Sequence, residues 1–366
     1  MRREFSITKM AALLAVSVTC VLSGVLWAGD TYTVVELGAL LPDGSSVGRH
    51  MDSVGARVVG NSGFTHGAGT RAFVWSPTGG MRDLGTFPGG DYSEAFGVND
   101  AGAVVGSSNT RDTMRGFVWS ARDGMHELSP LPGDSASRAF AINNSGEIVG
   151  YSSGKNGVRA VVWSAKLEVR SLGTLPGGTY SEAYAINNAG QVVGMSKSSS
   201  GTRAFLWTRQ DAMIDLGILQ GSESCKATRI NNAGQVVGSC LLGAGSRAFL
   251  WSKEGGMQSL GSLDGTAYAS AFGINDSGQV VGASDSALGA RAFLWTKSGG
   301  LQDLNSLIPP TQDVMLVQGV HINNRGQILA VGGVHHDLTH DREAHIDEGH
   351  AGPVHLFLLT PVSSLH

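Results

Sequence analysis

The densest set of metal-ligating side chains in this 366-residue chain lies between Gly333 and Val354. It holds His335, His336, His340, His345 and His350 among Asp337, Asp341, Glu343, Asp347 and Glu348. Eight of the eleven histidines fall from His321 onward, so the enrichment is local. If the stretch winds helically, His336 and His340 share a face at i and i+4, and Asp341 and His345 repeat that spacing. Imidazole nitrogens and a carboxylate so placed suit zinc or a similar divalent ion, which makes His336, His340, Asp341 and His345 the expected metal set. A solvated acidic loop without metal is the alternative, because no established metal motif is matched.

Other groups with chemical capacity recur along the chain. Asp83, Glu94 and Asp215 are acids of the kind a glycosidase pairs across a scissile bond, but acids that return from copy to copy point to scaffold. Arg71, Arg115, Arg159, Arg203, Arg247 and Arg291 stand at one repeated position. They could form a sixfold anion site, or one ion pair or carbonyl contact per unit. The Asn-Asn-x-Gly segments supply too few spaced oxygens for a calcium loop and read as turns. No His-Glu-x-x-His helix or phosphate-binding loop occurs.

The elements that would hold these groups repeat with a fixed period. Trp75, Trp119, Trp163, Trp207, Trp251 and Trp295 are each 44 residues apart. Aligned on them, each copy divides into four short apolar segments, as in Ala183 to Asn187, Gln191 to Ser196, Arg203 to Trp207 and Met213 to Leu216. Their β-branched and aromatic content and bounding turn residues predict strands. Between the first two, Asn187-Asn188-Ala189-Gly190 predicts a hairpin in which glycine takes the left-handed position. Along the third strand Phe73 and Trp75 alternate with Ala72 and Val74, so both faces are apolar and both need cover.

Four-stranded units of this length stacked about an axis predict an all-β, seven-bladed β-propeller. A seventh copy of the fourth strand, Val35-Glu36-Leu37-Gly38, precedes the first complete unit, and the chain ends just after a third strand, His355 to Leu359. Pairing the two completes the last blade and closes the ring, whereas an open solenoid would leave both terminal sheets incomplete. The glycine count of 53 and the 15% charged residues agree with many short strands and tight turns.

The units resemble the HAF repeat family of bacterial extracellular proteins over nearly all of residues 31 to 361. The matching stretches include Arg71-Ala72-Phe73, Asp83-Leu84-Gly85, Leu175-Pro176-Gly177-Gly178 and Ile186-Asn187-Asn188-Ala189-Gly190-Gln191-Val192-Val193-Gly194. The resemblance implies an exported repeat protein whose biochemical role is not established. The chain departs from the eponymous triplet by placing Arg before Ala-Phe in most copies; only His355-Leu356-Phe357 keeps the histidine.

Residues 1 to 28 read as a signal peptide: Arg2, Arg3 and Lys9 precede the apolar run Met10 to Trp27, and small residues Ala28 and Gly29 follow. An uncleaved membrane anchor is the alternative, and Arg2-Arg3-Glu4-Phe5 also resembles a twin-arginine signal. Cleavage leaves residues 29 to 366 as a single propeller domain with the insertion at 333 to 354, secreted or periplasmic, a monomer without stable membrane insertion. It removes three of 26 basic and one of 30 acidic residues, leaving 23 against 29 and no basic cluster for nucleic acid. Counted outward from the Asn231 to Gly234 turn, Cys225 and Cys240 fall opposite each other, which predicts a disulfide in an oxidising compartment.

The near identity of the units favours a binding module for a saccharide, peptide or surface partner, because catalysis needs unlike residues converging on one point. The rival expectation is an exported enzyme, such as a polysaccharide hydrolase or lyase, with its site at the ring axis. Alternating strand direction places the insertion at the same end of the ring as the Leu175 to Gly178 type of connection, where ligand is expected. No cofactor is called for beyond a divalent metal such as zinc at the histidine stretch.

Overall fold

In the computed structural model each Asn-x-x-Gly segment closes a hairpin. In the fourth unit the Asn187 backbone carbonyl accepts from Gly190 N at 3.0 Å, and the Asn187 Oδ1 accepts from Ala189 and Gln191 amides at 3.1 and 3.0 Å. Gly190 sits at φ +75, where a side chain would be strained. The flanking strands Ser181–Ile186 and Val192–Ser198 pair antiparallel, followed by Gly201–Thr208 and Ala212–Asp215.

The structure describes residues 32–41, 44–63, 69–310, 313–334 and 354–362. The signal segment 1 to 28 and the metal set His336, His340, Asp341 and His345 lie outside them. Among the described residues seven four-stranded antiparallel sheets form seven blades. Blades 1 to 6 span residues 45–83, 93–128, 134–173, 181–215, 224–261 and 269–303. Blade 7 joins Val314–Ile322, Ile328–Val334 and His355–Pro361 to the first strand of the chain, Tyr32–Glu36. That strand pairs Tyr32 with Pro361 through Glu36 with Phe357, so the ring closes as a seven-bladed β-propeller. Two short 3-10 turns, Leu263–Gly265 and Leu304–Leu307, replace the Pro-Gly-Gly type of connection next to blade 6. The second is capped by the Asp303 carboxylate accepting from Asn305 N.

The two apolar faces of each blade are buried against different neighbours. Phe73 packs with Leu329, Val331 and Leu356 of blade 7, while Ala72 of the same strand packs with Ala95, Val98 and Phe117 of blade 2. Trp207, 6% exposed, wedges against Val149, Ala160 and Val162 of blade 3, and the Arg170 guanidinium lies 4.9 Å from its ring centre. In blades 2, 3 and 4 a buried serine of the inner strand, Ser93, Ser137 or Ser181, ties the blade to the one before. Ser181 Oγ accepts from Ala160 N and donates to Gly173 O, both in blade 3, and Ser137 does the same with Gly116 N and Leu128 O.

At the end of the ring where the inner strands finish, asparagines link neighbouring blades in a chain. Asn99, Asn143, Asn187, Asn231 and Asn275 each donate Nδ2 to the carbonyl of the matching asparagine in the next blade, at 3.0 to 3.2 Å. A buried polar side chain is tolerable only when its groups are paired, and these are. Among the described residues the opposite end, where the inner strands begin, has no such asparagine chain.

Candidate functional site

Every inner strand breaks register by one residue at the same place, and those of blades 3 and 7 carry a second break nearer their start. The extra residues are Arg49, Phe96, Phe140, Tyr184, Thr228, Phe272 and Val320, each unpaired between two ladder partners on the adjoining strand. A bulge of this type re-aims its side chain, and here all seven line one cavity of about 330 Å³ on the ring axis. The residue before each bulge is glycine or alanine, and in blade 1 the reason is the closeness of the second and third strands of blade 7. A Cβ on Gly48 would lie 2.6 Å from Leu329 Cδ2.

The repeats differ where they meet the axis. Two residues before each bulge stand Val47, Glu94, Arg138, Glu182, Lys226, Ser270 and Gln318; one residue after stand His50, Gly97, Ala141, Ala185, Arg229, Gly273 and His321. Around the cavity, Arg49 Nη2 is 3.6 Å and Arg138 Nη2 4.0 Å from the Glu94 carboxylate. Glu182 accepts from the hydroxyls of Tyr180 and Tyr184, the latter at 2.5 Å. Burial first, and then the Glu182 charge, push the Tyr184 hydroxyl up out of its ordinary range, so it stays protonated and can donate but not abstract a proton. Burial, with Glu94 beside it, likewise pushes Tyr92 up to about 12.

The far side of the cavity is plugged by the three large residues that follow a bulge. Arg229 crosses the channel, its Nη2 lying 3.4 Å from the backbone oxygen of Arg49 in blade 1 and its Nη1 2.9 Å from Thr228 O. His50 and His321 meet beside it, ring centres 4.1 Å apart. Dehydration, then repulsion from Arg229, pushes His50 down to about 3, with Asp100 and a Val98 backbone contact opposing. His321 is driven well below its ordinary value by burial, then by His50 and Arg229. Burial and Arg49 pull Arg229 down to about 10, which leaves it charged at neutral pH.

The structure distributes the other sequence candidates over the scaffold. Arg71, Arg115, Arg203 and Arg291 each pair through Nε with the acid of their own fourth strand, Asp83, Glu127, Asp215 and Asp303, at 2.7 to 3.9 Å. Arg71, Arg115, Arg159 and Arg247 also donate to a backbone oxygen in the connection to the next blade. They are one contact set per blade, not a common anion site. His355 takes the arginine's place in blade 7, its Nδ1 2.7 Å from Glu36. Asp83 and Asp215 are thereby spent on arginines, and of the three acids only Glu94 reaches the axis. Cys225 and Cys240 face each other in the register of blade 5 and are joined by a buried disulfide. Gly150 to Gly154 matches Gly-x-Ser-x-Gly, but Ser152 is buried in the strand Ile148–Gly154 and donates to Asp134, so it is structural.

Sequence reasoning missed the axial residues because it treated the units as near copies. The signal was there as the columns in which the copies disagree. Among the described residues no group of three or more His, Cys, Asp or Glu side chains is arranged to hold a metal, and no helix is long and apolar enough to cross a membrane.

No family model matches the chain, and no curated protein is similar to it in sequence. Solved structures share the fold. An oligogalacturonate lyase in complex with manganese aligns over 92% of this chain and 95% of its own, at 12% identity and a TM-score of 0.58. Virginiamycin B lyase from Staphylococcus aureus aligns over 90% and 100%, at 10% identity and a TM-score of 0.55. A prolyl endopeptidase aligns over 80% of this chain at 13% identity and a TM-score of 0.54, and this chain spans 47% of that one. At such identities the likeness is one of fold alone.

Proposed function

We propose that this protein is an exported binding propeller, secreted or periplasmic and monomeric, whose ligand enters the axial pocket from the end where the inner strands begin. One observation carries the reading: seven repeats that agree along most of their length disagree where their side chains converge, on a single cavity. Phe96, Phe140, Tyr184 and Phe272 give that cavity aromatic walls, while Arg49, Lys226 and Gln318 supply polar contacts at its side. Flat apolar surface with a few polar groups suits a saccharide ring or a small organic ligand. The Cys225–Cys240 bridge accords with an oxidising compartment.

The second reading, an enzyme such as a polysaccharide hydrolase or lyase, gains support from the same pocket. Unlike residues do converge there, including the Glu94 carboxylate and a protonated Tyr184 held by Glu182. A glycan array and a polysaccharide substrate panel, run on the parent, Phe140→Ala and Tyr184→Phe, test both. Binding weakened in Phe140→Ala without turnover supports the module; turnover lost in Tyr184→Phe supports the enzyme. If Phe140→Ala and Tyr184→Phe leave every binding and every activity unchanged, the pocket is not the site. Export is tested by N-terminal sequencing of protein from the periplasm or medium, which should begin near residue 29.

A further inference from the structure

We propose that the floor of the axial pocket is an anion site built on Arg229, which takes a carboxylate, sulfate or phosphate group; this deepens the binding reading by naming the chemistry of the ligand's inner end. Arg229 lies within the ring and, among the described residues, has no acid as partner. A guanidinium has five N–H donors, and two of these atoms' contacts are accounted for, to Thr228 O and Arg49 O. Among the described residues its Nε and that of Arg49 have no partner but are closed to solvent, so the N–H groups left for a ligand are the second ones on its two Nη atoms.

The acids within reach are already engaged. Glu94 faces Arg49 and Arg138, and Glu182 accepts from Tyr180 and Tyr184. Lys226, two positions before the bulge of the same strand, lines the cavity and makes no ion pair among the described residues. Below Arg229, His50 and His321 each keep an unpartnered Nδ1, and Asp100 acts on His50 from their far side. The fixed charge around the cavity is therefore positive in excess, walled by Phe96, Phe140 and Phe272, which thin the water that would otherwise screen it. A half-buried cation without a counter-charge carries a desolvation cost, and the planar guanidinium fork matches the two oxygens of a carboxylate or oxyanion. The anion that enters neutralises Arg229 and takes up the remaining N–H of each Nη.

Two sources fit that chemistry, a sugar acid whose ring rests on the aromatic wall and a free inorganic anion. Calorimetry at constant ionic strength with sodium sulfate, D-glucuronate and D-glucose separates them, using the mature parent, Arg229→Gln, and Lys166→Gln on an exposed turn as control. Sulfate or glucuronate should bind the parent and Lys166→Gln saturably, glucose should not, and Arg229→Gln should weaken binding at least tenfold. Glucuronate binding tighter than sulfate assigns the site to a sugar acid, and the reverse order to a free anion. Absence of saturable binding of both anions to the parent, or equal binding by Arg229→Gln, overturns the proposal. Should Arg229→Gln fail to fold, Lys226→Gln takes its place, and a sulfate-dependent rise in the parent's Tm that Lys226→Gln does not reduce counts against the site. Neutral glycans that bind the parent, are lost in Phe140→Ala and persist in Arg229→Gln sink the anion site alone, leaving the pocket reading intact.

Discussion

His50 of blade 1 and His321 of blade 7 meet at 4.1 Å between ring centres, tilted by 54°, at the seam between the first and last blades. Both are held neutral because dehydration drives their pKa values down, His50 to about 3 and His321 well below 6.5. Arg229 faces both and Asp100 faces His50, the first opposing and the second favouring protonation.

Acid should therefore open the ring at this seam. The unfolded chain takes up protons at each histidine near pH 6.5, while the folded one does so only at much lower pH. Stability is then fully present above about pH 6.5 and falls as pH drops toward 3, by about 1.4 kcal/mol per pH unit per histidine within the window. Urea unfolding between pH 7.5 and 4, with His50→Gln;His321→Gln beside the parent, checks this. A double variant with the parent's slope would assign the pH dependence elsewhere.

Removal of residues 31 to 40 takes away the strand Tyr32–Glu36 that completes blade 7. It strips the partner from Leu358 and Leu359 and exposes an unpaired edge. We expect a large fall in Tm and concentration-dependent association in light scattering. Unfolding at the parent's temperature, as a monomer, would show that closure contributes little.

Trp207→Ala empties a space between blades 3 and 4 that Val149, Val162 and Phe205 cannot fill. The expected loss is about 3–5 kcal/mol in denaturant unfolding. A change below about 1 kcal/mol would mean that the ring is not packed as described.

Asn187→Ala breaks the asparagine chain at its middle. It leaves the Ala189 and Gln191 amides and the Asn231 carbonyl without their partner in a nearly buried site. A cost of about 1–3 kcal/mol is expected. Asn188→Ala, whose side chain is exposed and bonds only the Asn144 amide, should cost less; equal effects would argue against the chain as a structural belt.

The histidine-rich stretch makes a separate prediction. Zinc titrated into the mature protein should give a saturable heat that is absent when residues 335 to 353 are replaced by a short Gly-Ser linker, and His336→Ala;His340→Ala should weaken it at least tenfold. Equal, weak heats from all three would remove the metal from the account.

Strands, hairpins and blade number were legible in the sequence because each is set locally, by apolar runs of four to eight residues, by Asn-x-x-Gly turns, and by a period that repeats without slippage. Ring closure was legible too, since the surplus strand at Val35 and the missing one after Leu359 are complementary. The site was not. Period-two alternation puts Ala95 and Phe96 on opposite faces of a sheet; only the bulge at Phe96, visible once the neighbouring strand is paired, turns that side chain into the axis. Arg229 and the Arg49 carbonyl are 180 residues apart and meet only when seven wedges have closed a circle. The sequence by itself determined the blade, because a blade is made of neighbours in the chain. Tertiary structure decided the pocket, because its walls take at least one residue from each of seven blades, and nothing local says that these residues face one another.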